Sequence, residues 1–367
     1  MKSKFNFARV SEWTRYQSLK LQRSLVKCWP SLHGRAGKDD HEAARAYDLM
    51  HITLPNTCHC FTDLQIPAVT TVHDLSHLSC PQFQTPKIVQ ALADGLQRAE
   101  DAASEYISVS ASTGPQMQQK LGIHAGRIQV IHNGSDPARF YPVEDHHELN
   151  RVRSKYGIGN QPFVLALSTI EPRKNLFNTV QAFRRLVEEQ PNLAVNLVIA
   201  GTHGWGEKDQ LQAAISSCDR IMQIGFVPDE DLAGLYSAAN VFCYASHYEG
   251  FGLPLVESMR CGTSVVFGNT SSMPEVVGSG GLGVVPTDVA DIQRALAKLL
   301  GDDALRKWHA AQGLQQGNKF NWQRSAELTL ACYERCIEEH QFRVRTGRWH
   351  ASDQPTHDME RQSRHAA

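Results

Sequence analysis

Phe163-Val164-Leu165-Ala166-Leu167-Ser168-Thr169-Ile170-Glu171-Pro172-Arg173-Lys174-Asn175-Leu176 is the stretch that decides the architecture. Its first five residues form a continuous apolar run of strand length, and from Leu176 to about Glu189 the apolar positions recur at helical spacing. The unit then repeats. Leu197–Ala200, Ile221–Ile224, Val241–Tyr244, Ser264–Phe267 and Gly283–Val285 read as further strands, with helices predicted over Glu207–Ser217 and Asp229–Ala238 among the segments between them. Strands apolar on both faces, alternating with helices of about 10 to 15 residues, predict an α/β fold with a parallel, doubly wound sheet.

The first half follows the same pattern with less regularity. Tyr47–Ile52, Ala68–Val72, Tyr106–Val109 and Arg127–Ile131 read as strands, and residues 86–103 as a helix. The polar stretch 143–160, with Gly157 and Gly159, reads as a junction. Two Rossmann-like domains facing one another across a cleft are therefore expected, covering residues 1–150 and 151–320. A helix over 321–342, opened by Phe320-Asn321-Trp322, and a disordered tail over 343–367 would follow.

A chain of 367 residues with 41% hydrophobic and 20% charged residues has ample material for such cores. A formal net charge of −1 gives no reason to expect a nucleic-acid partner. No apolar run approaches the roughly 18–20 residues that span a bilayer. Arg9, Arg15, Lys20 and Arg23 interrupt any apolar core of a secretion signal, so a cytoplasmic location is expected. Nine scattered cysteines suit thiols in a reducing compartment. Cys58-His59-Cys60 invites a metal reading, but Cys332, Cys336 and His340 are not tied to it by any zinc-type spacing. The first 38 residues carry nine Lys or Arg against Glu12 alone, interspersed with Trp13, Tyr16 and Trp29. Such a helix suits peripheral contact with an anionic membrane, the alternative being a domain surface with solvated charges.

Three features carry chemistry. Glu171-Pro172-Arg173-Lys174-Asn175 follows a buried strand and is expected to open a helix, where ligands of open α/β sheets sit and where free N–H groups favour anions. Arg173 offers a planar fork for phosphate oxygens and Lys174 a point charge. Cations are disfavoured at that end of a helix dipole, so two together point to an anionic guest rather than to a solvated basic pair. In Glu249-Gly250-Phe251-Gly252-Leu253-Pro254-Leu255-Val256-Glu257, Gly250 and Gly252 let the backbone approach a ligand, and Pro254 suits a first helical turn. Glu249 in the loop and Glu257 one turn into the helix suit a ligand with two polyol rings, such as a sugar and a ribose. The plain alternative is one capping and one surface glutamate. Finally, His73-Asp74 closes the strand Ala68–Val72 and faces the cleft, although such a pair can also be a loop anchor.

These stretches, in order, resemble the retaining GT-B glycosyltransferases of glycosyltransferase family 4 (group 1). The resemblance rests on Thr70-Thr71-Val72-His73-Asp74-Leu75-Ser76, Val130-Ile131-His132-Asn133-Gly134-Ser135-Asp136, Ser168–Asn175, Ser246-His247-Tyr248-Glu249-Gly250-Phe251-Gly252-Leu253-Pro254 and Ser271-Ser272-Met273-Pro274-Glu275-Val276. It implies that Arg173 and Lys174 hold the donor diphosphate and that Glu249 binds hydroxyls of the transferred sugar, helped by the backbone of Gly250, Phe251, Gly252 and Leu253. It further implies that Glu257 takes the ribose diol and that His73 contacts the sugar from the other domain. Retention of configuration without a metal, the co-substrate being a nucleoside diphosphate sugar, belongs to the same implication. So does a C-terminal crossover helix over 321–340. Glu-Pro-Arg-Lys-Asn resembles the bacterial mannosyltransferase branch, which makes GDP-mannose the first expectation for the donor. A glycan or lipid-linked acceptor in surface polysaccharide synthesis is expected.

The start departs from that pattern. The first glycine is Gly34, nothing before residue 47 reads as a strand, and Ser168-Thr169 stands where the family places glycine-arginine. The N-terminal domain therefore reads as shortened. A catalytically weakened GT-B protein that binds a nucleotide sugar or a partner is one rival reading, and an epimerase or phosphorylase is another. A nicotinamide oxidoreductase is set aside, because no G-x-G-x-x-G follows a strand.

Overall fold

The computed structural model describes residues 47–54, 66–206 and 209–347. Four short parallel strands form the first sheet: β1 (Met50–Ile52), β2 (Ala68–Val72), β3 (Glu105–Ser108) and β4 (Ile128–Val130), in the order β1-β2-β3-β4. Every residue of β2 is buried, which explains why it reads as an unbroken run. Helices α1 (Ser76–Ser79), α2 (Pro86–Ala102) and α3 (Thr113–Leu121) connect them. The start of α2 is set by Pro86 and by the Thr85 hydroxyl, which accepts the Ile88 N–H.

The second domain opens with α4 (His146–Lys155). It continues through β5 (Phe163–Leu167), α5 (Leu176–Glu189), β6 (Asn196–Ala200), α6 (Asp209–Ser216), β7 (Ile221–Gly225), α7 (Asp229–Ala238) and β8 (Val241–Tyr244). Then come α8 (Leu253–Arg260), β9 (Val265–Gly268), α9 (Met273–Val277), β10 (Gly281–Val284), α10 (Val289–Gly301) and α11 (Asp303–Gly317). The six strands are parallel and lie in the order β10-β9-β8-β5-β6-β7. Counted from β5, this is the 3-2-1-4-5-6 order of the dinucleotide-binding folds, with its reversal between β5 and β8. One apolar cluster fills each face of the sheet. The α/β architecture of two parallel-sheet domains is as the sequence leads one to expect.

A last helix, α12 (Trp322–Thr346), returns to the first domain. Cys332 and Cys336 pack there with Val69, Ile107 and Ile131, the Tyr333 hydroxyl meets His51 Nδ1 at 2.6 Å, and Arg335 pairs with Glu105. The helix runs four residues beyond the predicted 342, because Arg343 and Arg345 complement its C-terminal end and Gly347 caps it in the left-handed region. Both helix thiols are buried in this contact, and burial pushes them up to about 12. Cys58-His59-Cys60, the basic segment 1–38 and residues 348–367 lie outside the described residues.

The stretch 143–160, read as a junction, contains a helix. This is α4, which packs on α7. The fully buried Asp231 of α7 anchors it by accepting from Arg151 (2.7 Å), Lys155 (2.5 Å) and Tyr156 (2.6 Å). Burial opposes ionisation of Asp231, but Lys155, Tyr156 and Arg151 outweigh it and hold the carboxyl at about 2.

Candidate functional site

The loops beyond β5 and β8 meet where the strand order reverses, the crevice in which open α/β sheets bind ligands. After β5 the chain makes a 3₁₀ turn, Pro172–Lys174, and Asn175 then takes the left-handed conformation (φ 58°) before α5 begins. Arg173 and Lys174 thus sit on this turn just ahead of the helix, which begins at Leu176 as the sequence pattern predicts. Asn175 fixes this geometry by donating through Nδ2 to the carbonyls of Ala245 (2.8 Å) and Pro286 (2.6 Å). The turn is bound to the β8 loop at one end and to the chain after β10 at the other.

Both cations converge on Glu249. Lys174 Nζ donates to Glu249 Oε1 at 2.7 Å and to the Tyr244 hydroxyl at 2.8 Å. Arg173 Nη1 reaches Glu249 Oε2 at 3.1 Å and the Tyr248 carbonyl at 2.8 Å, while Nη2 reaches Glu171 Oε1 at 2.7 Å. The three side chains of the cluster are nearly buried. Burial opposes the charge on Glu249, but Lys174 and Arg173 outweigh it and hold the carboxyl at about 2. The same pairing raises both cations above their ordinary values against burial. The Glu249 N–H donates to Ser271 Oγ (2.9 Å), and the Ser272 hydroxyl donates to the carbonyls of Glu249 and Phe251. The loop that carries the carboxylate is therefore held from two sides.

Gly252 caps α8 with φ 100°, a conformation that suits glycine. Phe251 is buried with its ring edge-on to Phe320 (5.4 Å) and tilted against His132 (5.8 Å), and Leu253 packs on the core. Only the backbone of these two predicted donor-binding residues is free to serve a ligand. Glu257 stands apart from the cation cluster. It accepts from the Tyr236 hydroxyl at 3.1 Å, and burial pushes its carboxyl up to about 7 against the pull of Tyr236 and Arg139. Arg139, paired with Asp229 at 2.7 Å, completes its charged surroundings.

His73 lies across the cleft at the end of β2. Its side chain is exposed, with Nε2 2.9 Å from the Thr53 carbonyl, and it lines a cavity of about 240 Å³ together with Asp74, Arg173 and Trp205. The structure thus brings Arg173, Lys174 and Glu249 into contact, sets His73 on the same cleft, and leaves Glu257 apart from them against Tyr236.

Several residues joining the domains had no role assigned from sequence. The Tyr248 hydroxyl accepts the Leu75 N–H (3.4 Å) and donates to Gln116 Oε1 (3.0 Å). Phe83 stacks on His247, with centroids 4.4 Å apart and planes 7° apart, and its carbonyl accepts the Trp205 indole N–H at 3.1 Å. Glu275 of α9 accepts from Ala111 and Ser112 of the first domain and meets His132. Tyr248 and Glu275 stand inside motifs quoted above, but sequence alone does not show what they touch.

Two family models match the chain: "Glycosyl transferases group 1" over residues 150–315 and "Glycosyltransferase Family 4" over 19–139. O-antigen chain mannosyltransferase B of Escherichia coli is 36% identical over 272 residues, covering 73% of this chain and 70% of the relative. Serotype-specific mannosyltransferase WbdA of Escherichia coli is 31% identical over 65% of this chain, which spans only 29% of that longer relative. Among solved structures, Anabaena Alr3699/HepE in complex with UDP and glucose superposes with a TM-score of 0.66 at 20% identity, covering 84% of this chain and 82% of that one. WaaG, a glycosyltransferase involved in lipopolysaccharide biosynthesis, gives 0.61 at 16% identity over 87% and 80%. These structural likenesses show a GT-B fold.

Proposed function

We propose that this chain, which belongs to the group 1, family 4 glycosyltransferases, moves a hexose from a nucleoside diphosphate sugar to a glycan or lipid-linked acceptor in polysaccharide synthesis. One observation carries the reading. Two nearly buried cations, Arg173 and Lys174, converge with the carboxylate of Glu249 at the reversal point of a dinucleotide-binding sheet. A diphosphate placed there meets both cations. As the bond from sugar to diphosphate breaks, negative charge grows on the departing phosphate, and pre-positioned cations stabilise it most where water is scarce. Glu249 remains the acceptor for sugar hydroxyls and Glu257 for those of the ribose.

Mannose from GDP-mannose is the first donor to try, supported by the mannosyltransferase relative and by Glu-Pro-Arg-Lys-Asn. Retention of anomeric configuration and independence of a metal are parts of the same proposal. Proton NMR of the product's anomeric signal tests the first, and activity in excess chelator tests the second.

The deciding experiment incubates the protein and its Glu257→Ala variant with GDP-mannose, UDP-glucose, UDP-galactose, UDP-N-acetylglucosamine and dTDP-rhamnose. Thermal shift reports binding, and released nucleoside diphosphate reports turnover. One donor that stabilises the wild type but not the variant, with release on adding acceptor, establishes the function. Binding without release in the presence of acceptors would replace it with a sugar-nucleotide-binding protein that has lost transfer.

A further inference from the structure

Two tyrosines reach the candidate donor site from inside the second domain. Tyr236 on α7 and Tyr244 at the end of β8 have buried rings, and the buried ring of Phe242 stands between them. Tyr236 meets Phe242 edge-on, with centroids 5.3 Å apart and planes at 89°, and Phe242 stacks on Tyr244 at 5.7 Å and 23°. Phe242 and Tyr244 share one face of β8 because they are two residues apart on a strand. Phe140 packs on Tyr236 at 6.4 Å. Each hydroxyl of this row lands on a different group of the site. Tyr236 donates to Glu257 Oε2 at 3.1 Å, and the Tyr244 oxygen accepts from Lys174 Nζ at 2.8 Å.

These bonds leave one direction open at each end. Tyr236 takes one oxygen of Glu257, and Oε1 makes no hydrogen bond among the described residues. Lys174 spends two N–H groups on Tyr244 and on Glu249 Oε1, and its third has no acceptor among the described residues. An ammonium with two of its three donors fixed has only one direction left for the third. We propose that Tyr236 and Tyr244 are positioning residues of the donor site, Tyr236 orienting Glu257 toward the ribose diol and Tyr244 orienting Lys174 toward the diphosphate, with Phe242 bracing both. The assignment rests on the nucleotide-sugar reading and adds to it two side chains that act through others.

A hydroxyl serves in this way while it keeps its proton. Burial and the neighbouring Glu249 push Tyr244 up to about 12, and burial with Glu257 holds Tyr236 well above its ordinary value, so both are neutral phenols at neutral pH. The ring row supplies stiffness, because side chains packed this closely stay in one rotamer. Lys174, on a flexible four-carbon stem, gains most from a fixed neighbour. Phenylalanine at either position fills the same space and keeps the row, which separates positioning from packing.

The test titrates guanosine and GDP, with uridine and UDP in parallel, into wild type, Tyr236→Phe and Tyr244→Phe by ligand-observed NMR. Tyr236→Phe is expected to weaken nucleoside and nucleoside diphosphate by the same factor, about tenfold, because both carry the ribose. Tyr244→Phe is expected to weaken the diphosphate about tenfold and to leave the nucleoside unchanged. The Tyr236 hydrogen bond favours ionised Glu257, so in Tyr236→Phe the rise of GDP affinity with pH should also move to higher pH. Arg139, Asp229 and the Cys261 thiol, the other titratable groups around that carboxylate, are the same in both proteins. Equal losses of nucleoside and diphosphate in Tyr244→Phe, or wild-type affinities in either folded variant, would overturn the assignment. A wild type that binds neither GDP nor UDP would overturn the donor-site reading itself, and the positioning roles with it.

Discussion

Gly250 packs its α-carbon against the main-chain carbonyl of His73, so closely that a Cβ on Gly250 would overlap that oxygen and lie 2.7 Å from Cβ of Asp74. The two residues belong to opposite domains, and the glycine next to Glu249 is therefore a condition of closure. Gly250→Ala keeps each domain's core intact but wedges the cleft. Transfer is expected to fall about 100-fold, the scale of an ångström-level misplacement, with little change in Tm. Small-angle scattering would register a larger radius of gyration than wild type; an alanine variant with native compactness and native kcat/KM would refute the steric argument.

The buried cation pair makes a second, opposite expectation. Glu249 is the shared partner of Arg173 and Lys174, so Glu249→Ala leaves Lys174 without a carboxylate and Arg173 with Glu171 alone, in a site shielded from water. The cost is about 3–5 kcal/mol, the range for breaking a buried pair, and Glu249→Gln costs less because its carbonyl still accepts. GDP supplies two phosphates where the carboxylate stood. It should raise the Tm of Glu249→Ala by more than it raises that of wild type. Equal shifts in a GDP titration would mean that the diphosphate does not reach these cations.

How much of this was legible depends on where each interaction partner sits in the chain. β5 and β8 are buried on both faces and read as continuous apolar runs, and the residues after them inherit a position from the sheet rule. Arg173, Lys174 and Glu249 could be found that way. Helix α4 could not, since Val152 is its only fully buried residue and charge holds it to α7. Asp231 looks like one more solvated acid in Asp229-Glu230-Asp231, yet it is fully buried. The contacts that join the domains are the hardest case. Glu275 and Ala111 are 164 residues apart, and no periodicity connects them.

Glu275 is nonetheless the most testable of those contacts. Its carboxylate accepts from the amides of Ala111 (2.8 Å) and Ser112 (2.9 Å) just ahead of α3 and meets His132 Nε2 at 3.0 Å. Burial opposes its charge, but His132 and the two amides outweigh it and depress the carboxyl below its ordinary value. A depressed carboxylate contributes stability above its unfolded pKa and loses it as pH falls through the folded one. Glu275→Ala is expected to cost about 2 kcal/mol at pH 7 and to speed amide exchange at Ala111 and Ser112. The difference from wild type should shrink on acidification below the ordinary carboxylate range. Unchanged exchange at those two amides would show that the contact does not hold the domains together.

Glu257 carries the reverse sign. Burial pushes its carboxyl up to about 7, so the folded protein keeps a proton that the unfolded chain releases from about 4.5 upward. The site's contribution to stability therefore falls as pH rises from about 4.5 to 7. Glu257→Gln removes the titration, and the variant should gain in Tm over wild type at pH 8 and show no gain at pH 5. Nucleotide binding runs the other way. A ribose diol donates to the ionised carboxylate, so the affinity of wild type for GDP should strengthen as pH rises through about 7, while Glu257→Gln binds weakly and without that dependence. Isothermal titration at pH 6 and pH 8 separates the possibilities. A wild-type affinity that is flat across this interval and equal to that of the glutamine variant would remove Glu257 from the donor site.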